Sequence, residues 1–154
     1  MAVYADRSDH DANQGDVFEA VPFGGFTIDG MVTSHDCVCD KYLEPRTPLS
    51  EEAAAEFPVS VAPVHPLDQL TDDWRAAVLR DRMPRYFLLP AEGERPDLVA
   101  DLYLEQPVRF AEVLDCDRAT SLSPEWLARL WQQFMRLRFG EDYMTFIRKL
   151  LDAS

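Results

Sequence analysis

Apolar residues follow two periodicities along this chain, and the switch between them predicts its organisation. Up to about residue 114 they come in short runs bounded by proline, glycine and acidic residues, which is the pattern of strands. After Ser123 they recur every three to four positions, which is the pattern of helices. Gln14-Gly15 turns into Asp16-Val17-Phe18-Glu19-Ala20-Val21-Pro22, a short strand closed by Gly24-Gly25, and Phe26 to Ser34 resumes extended structure, so the two runs predict a β-hairpin. Val59 to Val64 alternates as a strand, with Pro63 suited to an edge or an end. Arg85 to Leu89, Leu98 to Leu104 and Val108 to Leu114 read as further strands, the last two separated by Gln106-Pro107. The body is therefore expected to hold about six strands.

Helix signals interrupt and then replace this pattern. Ser50 followed by Glu51, Glu52 and three alanines has the cap and acidic first turn of a short helix that Pro58 stops. Thr71-Asp72-Asp73-Trp74 starts a second, which Met83-Pro84 ends. Ser123-Pro124-Glu125 is a stronger start, since serine caps, proline suits the first turn, and Leu122 can staple onto Leu127. Trp126, Leu127, Leu130, Phe134 and Leu137 then share one stripe, Gly140 is placed to end the helix, and Tyr143, Phe146, Ile147, Leu150 and Leu151 mark a final helix.

Length and charge narrow the classes of function. A chain of 154 residues fits one domain, with about 70% of the unfolded chain's surface buried on folding. The polar, aperiodic residues 1–13 read as a mobile tail ahead of a single domain over 14–154. No run approaches the roughly 20 apolar residues of a membrane span, and the N-terminus lacks the features of a signal peptide, so the expected location is the cytoplasm, with no membrane partner. The formal charge of −13 opposes direct contact with nucleic-acid phosphates. Residues 1–70 carry three Lys/Arg (Arg7, Lys41, Arg46) against thirteen Asp/Glu, whereas residues 120–154 carry five against four. Acidity is thus concentrated in the N-terminal half, where a basic protein could dock; the same charge also keeps a protein soluble. On the C-terminal helices Arg129, Arg136, Arg138, Arg148 and Lys149 stand among Trp126, Trp131, Phe134 and Phe139. These aromatics fall mostly on the core stripe, so a packed amphipathic helix accounts for them better than a nucleic-acid surface does.

The segment His35-Asp36-Cys37-Val38-Cys39-Asp40 carries the candidate chemistry. If the strand continues, His35, Cys37 and Cys39 project to one face. They are then candidate Zn²⁺ ligands, with His65, Cys116 or a carboxylate such as Asp115 as the fourth. Same-face residues on a flat strand lie roughly 6–7 Å apart, so convergence on one ion needs a bulge or turn. The alternative makes Cys37 a nucleophile, His35 or His65 its base, and Asp36 or Asp40 the group that orients the imidazole. The acidic neighbours Asp29, Asp36, Asp40 and Glu44 oppose that reading, because they disfavour a thiolate. Ordinary packed cysteines and histidines explain the same residues. The odd count of three cysteines leaves a thiol outside any internal disulfide framework.

Gly15-Asp16-Val17, followed by the strand Met31-Val32-Thr33-Ser34, resembles the first hairpin of the PemK/MazF-like toxins, small SH3-like barrels that cut RNA. That family carries Arg-Pro before the second strand, where this chain has Ile28-Asp29-Gly30, so the resemblance implies the fold and supplies no catalytic arginine. The chain is also similar to uncharacterised bacterial proteins with a Ser-x-x-Cys-Asp strand end, here Ser34-His35-Asp36-Cys37 with Val38 in the last place. Tyr86-Phe87-Leu88-Leu89-Pro90 and the strand bearing Asp101 belong to the same likeness. The expected fold is α+β: a compact, mostly antiparallel sheet or SH3-like barrel over about 14–115, short inserted helices, and two C-terminal helices over about 123–152 packed on it. The leading functional expectation is a cytoplasmic interaction or regulatory protein that binds a basic partner. Its alternatives are a toxin-like ribonuclease or metal-dependent hydrolase centred on His35, Asp36, Cys37 and Cys39, and an inhibitor that imitates nucleic acid.

Overall fold

The computed structural model describes residues 2–6, 12–34 and 56–152. Among them the strands are β1 (Tyr4–Ala5), β2 (Asp16–Phe23), β3 (Phe26–Val32), β4 (Pro58–Pro66), β5 (Tyr86–Leu89), β6 (Leu98–Asp101), β7 (Gln106–Arg109) and β8 (Arg118–Leu122). The helices are α1 (Asp72–Leu79), α2 (Phe110–Leu114) and α3 (Pro124–Asp152), with short 3-10 turns at Leu67–Gln69 and Leu102–Leu104. The strands form one sheet in the order β1-β8-β2-β3-β4-β6-β5, with β7 also paired to β4. All of its pairings are antiparallel. This is the α+β architecture expected from the sequence, a curled sheet of half-barrel form with helices packed on it.

Both faces of the central strands are buried, which explains why they read as nearly continuous apolar runs. Phe18, Val32, Val59 and Val61 face a core completed by Phe110 and Val113 of α2. Their neighbours Val17, Met31, Ala62 and Val64 face the opposite core, completed by Leu130, Trp126 and Phe134 of α3. A third cluster joins Tyr86 and Val99 to Val78 of α1. A bulge in β2 preserves this partition. The register steps from Phe18↔Gly30 to Val21↔Ile28, so Glu19 and Ala20 together oppose Asp29, and Phe18, Val21 and Phe23 all remain on the first face. The Asp29 carboxylate accepts the Ala20 N–H at 3.1 Å, giving a bulge amide a partner.

Several expectations are corrected. Tyr4–Ala5, assigned to a mobile tail, pair with β8 through Tyr4↔Leu122 and Ala5↔Ser121; the half-buried Tyr4 gains apolar contacts there that the polar flanking residues hide in the sequence. Pro63 lies in a buried strand rather than at an edge. It is tolerated because it pairs with Gly30 at the end of the β3 ladder, opposite the place where the β6 and β7 ladders on β4 are interrupted. The run expected as a strand to Leu104 stops at Asp101, whose carboxylate accepts the Tyr103 N–H at 3.1 Å and caps a 3-10 turn. Phe110–Leu114, expected to extend a strand, is helical and buries Phe110 and Val113 one turn apart. β8 was not foreseen, because Arg-Ala-Thr-Ser has too little apolar character to signal a strand until β1 and β2 flank it. The helix expected from Ser50 falls on residues outside those described, up to residue 55. At the other end, Gly140 breaks the helical path with φ 76 and ψ 172, dividing α3 in two as anticipated.

Candidate functional site

His35, Asp36, Cys37, Cys39 and Asp40 lie outside the described residues. What is described is the strand end that leads to them. The Thr33 N–H donates to the Ser60 carbonyl at 2.8 Å, and the Ser34 hydroxyl accepts the Ser60 N–H at 2.7 Å. β4 therefore fixes the last two residues before this segment.

The two remaining candidate ligands have separate surroundings. Cys116 follows α2; its thiol donates to the Glu112 carbonyl at 3.1 Å and packs against the α2-covered core. Burial raises its pKa, and the charges of Asp115, Asp117 and Glu112 raise it further, which disfavours both thiolate chemistry and metal ligation without a compensating cation. His65 sits in β4 opposite Val99, its ring edge-on to Tyr86 with centroids 6.1 Å apart, and its Nδ1 has no hydrogen-bond partner. Among the described residues, no three His, Cys, Asp or Glu side chains gather as a metal site would require.

The same neighbourhood organises negative charge. Glu19 and Asp29 are exposed at the β2 bulge, and Asp115 and Asp117 are exposed after α2. The Glu19 N–H donates to the Asp117 carbonyl at 2.9 Å, and the Cys116 sulfur lies 3.9 Å from the Ala20 carbonyl oxygen, which ties the two segments together. Glu112 is half-buried and paired with Arg109 at 2.8 Å. The exposed residues Glu19 and Asp117 thus lie on adjoining backbone segments, with Asp29 beside the first and Asp115 two residues from the second. The uneven charge of the first seventy residues signalled only half of this cluster, since the rest arrives through the fold.

A second organised feature surrounds Arg85. Its guanidinium donates to both oxygens of the buried Asp101, at 2.9 and 2.7 Å, and lies 5.0 Å from the Tyr86 ring, 5.3 Å from Tyr103 and 5.8 Å from Trp74. The hydrogen bond to Asp101 is the main cause of the raised Arg85 pKa. Arg85 is thus a fixed cation among aromatic faces, an arrangement suited to holding shape more than to moving protons. The second resemblance marks Tyr86 and Asp101, whereas the sequence offers Arg85 and Trp74 only as strand and helix positions.

On the other side of the sheet, a cavity of about 220 Å³ opens between the end of β3 and α3, with Thr33, Ser34 and Ser60 on one side and Trp131 and Phe139 on the other. Trp131 and Phe139, which lie outside the stripe of Trp126, Leu127, Leu130, Phe134 and Leu137, are 44% and 54% exposed. A groove of about 480 Å³ between α1, β5 and α3 is lined by Arg129, Arg136 and Arg148; Arg136 is paired with Asp81 at 2.8 Å. Neither hollow was legible in the sequence, because each draws residues from segments far apart in the chain. No protein-family model matches the chain, and no curated protein matches it.

Proposed function

We propose that this protein is an interaction or regulatory protein whose acidic side engages a basic protein partner. The observation that supports the reading is the shared surface of Glu19, Asp29, Asp115 and Asp117, built by hydrogen bonds between the β2 bulge and the segment after α2. Exposed carboxylates on adjoining segments attract a cationic partner and steer its encounter. The toxin-like ribonuclease or hydrolase reading rests on His35, Asp36, Cys37 and Cys39, outside the described residues, and no described contact favours it.

Charge-neutralising substitutions test the proposal directly. The full chain and a Glu19→Gln, Asp29→Asn, Asp115→Asn, Asp117→Asn variant are used as baits against an extract at low salt. Wild type is expected to hold a defined basic protein that elutes as salt is raised towards about 0.5 M, where screening acts over roughly 4 Å. The variant is expected to lose that protein while its thermal unfolding stays close to wild type. Recovery of the wild type alone at low salt, or equal capture by both baits, would overturn the reading.

A further inference from the structure

We propose that the groove between α1, β5 and α3 binds a small phosphate monoester with an apolar organic group, independently of the acidic surface. Its α3 wall is one helical face, on which Trp126, Arg129, Gln133 and Arg136 stand at relative positions 0, 3, 7 and 10. Contacts to β5 and to the end of α1 hold that face in place. The Gln133 side-chain amide donates to the carbonyls of Pro84 and Tyr86, and the Arg136 guanidinium donates to the Asp81 carboxylate at 2.8 Å and to the Asp81 carbonyl at 3.0 Å. The Arg129 guanidinium lies 4.7 Å from the centre of the Trp126 ring. Arg148 joins the lining from beyond the break at Gly140.

Charge selects an anion. The lining holds three arginines against one aspartate, an excess of two positive charges in a chain of net charge −13. Arg136 is answered by Asp81. Arg129 and Arg148 are exposed, and among the described residues neither forms an ion pair with a carboxylate. The overall charge repels anions at a distance, but screening acts over roughly 8 Å at physiological ionic strength, so the charges within the groove decide what it holds. A phosphate monoester matches the excess, since it carries about −1.5 to −2 at pH 7 and offers three acceptor oxygens, where a carboxylate brings a single charge. Guanidinium groups pair with such oxygens through parallel N–H donors.

Size and the rest of the lining call for an organic ester in place of free phosphate. A volume of about 480 Å³ falls within the roughly 300–1,000 Å³ of small-molecule sites. Val78, Leu79 and Leu88 line the groove together with the arginines, and Leu79 is 56% exposed. An apolar group on the ester covers Leu79 and gains burial that inorganic phosphate cannot.

The test is calorimetric titration of the full chain at low salt with phenyl phosphate, inorganic phosphate and phenol. Phenyl phosphate is expected to saturate one site and to bind about tenfold more tightly than inorganic phosphate, the gain from covering roughly 55 Å² of apolar surface. Phenol, which lacks the charge, should bind at least about tenfold more weakly than phenyl phosphate. Arg129→Gln and Arg148→Gln should each weaken phenyl phosphate at least about tenfold, the usual weight of a hydrogen bond to a charged group. Arg138→Gln removes the same charge from the α3 face that lines the other cavity, and should change the affinity by less than about twofold. Leu79→Ser should reduce the preference for phenyl phosphate over inorganic phosphate and leave the latter within about twofold. All four side chains are exposed, so thermal unfolding should stay close to wild type; if one variant does not fold, the wild-type preference and the remaining arginine variant decide the question. The proposal is overturned by the absence of saturable phenyl phosphate binding, by equal affinity for phenyl phosphate and inorganic phosphate in the wild type, or by equal losses in Arg138→Gln and the groove variants.

Discussion

The phenol of Tyr4 in β1 donates to the carbonyl of Pro90, the residue after β5, at 2.6 Å. β1 and β5 are the two ends of the strand order, so a side chain bridges a sheet whose backbone ladder does not close. Gln133 of α3 completes the seal, since its side-chain amide donates to the carbonyls of Pro84 and Tyr86 at 2.9 and 2.7 Å. Carbonyls along the open edge of β5 are thereby satisfied, and that edge is shielded from pairing with other chains.

Tyr4→Phe should cost about 1 kcal/mol at neutral pH, because the ring stays and one hydrogen bond is lost. The pH dependence gives a sharper check. Burial raises the Tyr4 pKa from 10.0 to about 12, partly offset by Arg95. The folded state therefore holds the phenolic proton when the unfolded chain has released it. Its stabilisation is complete below about pH 10 and is lost as pH rises from there through about 12. Urea unfolding at pH 8, 10 and 11 should show the advantage of wild type over Tyr4→Phe shrinking; a constant gap would contradict the assignment.

Removing the cation beside Asp101 should be among the most damaging single changes. Asp101 is 2% exposed, and Arg85 occupies both of its oxygens. Arg85→Ala leaves that carboxylate with the Tyr103 N–H, and we expect a loss of about 2–3 kcal/mol, moderated because Arg85 itself reaches water. Urea midpoints for Arg85→Ala, Asp101→Asn and the double variant should give costs that do not add. Strict additivity would mean that the pair is not coupled.

Gly15 is constrained twice. Its φ is +84, and an added Cβ would lie 2.5 Å from Cδ2 of Leu127. Gly15→Ala should destabilise by about 1–3 kcal/mol from backbone strain and overpacking together. Adding Leu127→Ala removes the contact but not the strain, so the double variant should recover part of what the summed single costs predict. No recovery would place the whole effect in the backbone.

Cys116 should react slowly with thiol reagents. Burial and the charges of Asp115, Asp117 and Glu112 all raise its pKa, which reduces the thiolate present near pH 8. In a Cys37→Ser, Cys39→Ser background, its alkylation at pH 8 should be slower than that of a free thiol, and Asp115→Asn with Asp117→Asn should speed it. Reaction as fast as a free thiol would show that the carboxylates do not govern this site.

The sequence by itself determined the elements whose signals are local. Gly24-Gly25 between two apolar runs made the β2–β3 hairpin legible, Ser123-Pro124 marked the start of α3, and Gly140 marked its break, because turn and cap chemistry depend on a few adjacent residues. Tertiary structure decided what depends on distant partners. Tyr4–Ala5 and Arg118–Leu122 become strands only by pairing with each other and with β2, and Phe110–Leu114 becomes a helix because Phe110 and Val113 fill the core beneath β2 and β4. The candidate sites follow the same division. Spacing drew attention to the end of β3, whereas Thr33 faces Trp131 across a cavity, and the Glu19 N–H reaches the Asp117 carbonyl, only through the tertiary fold.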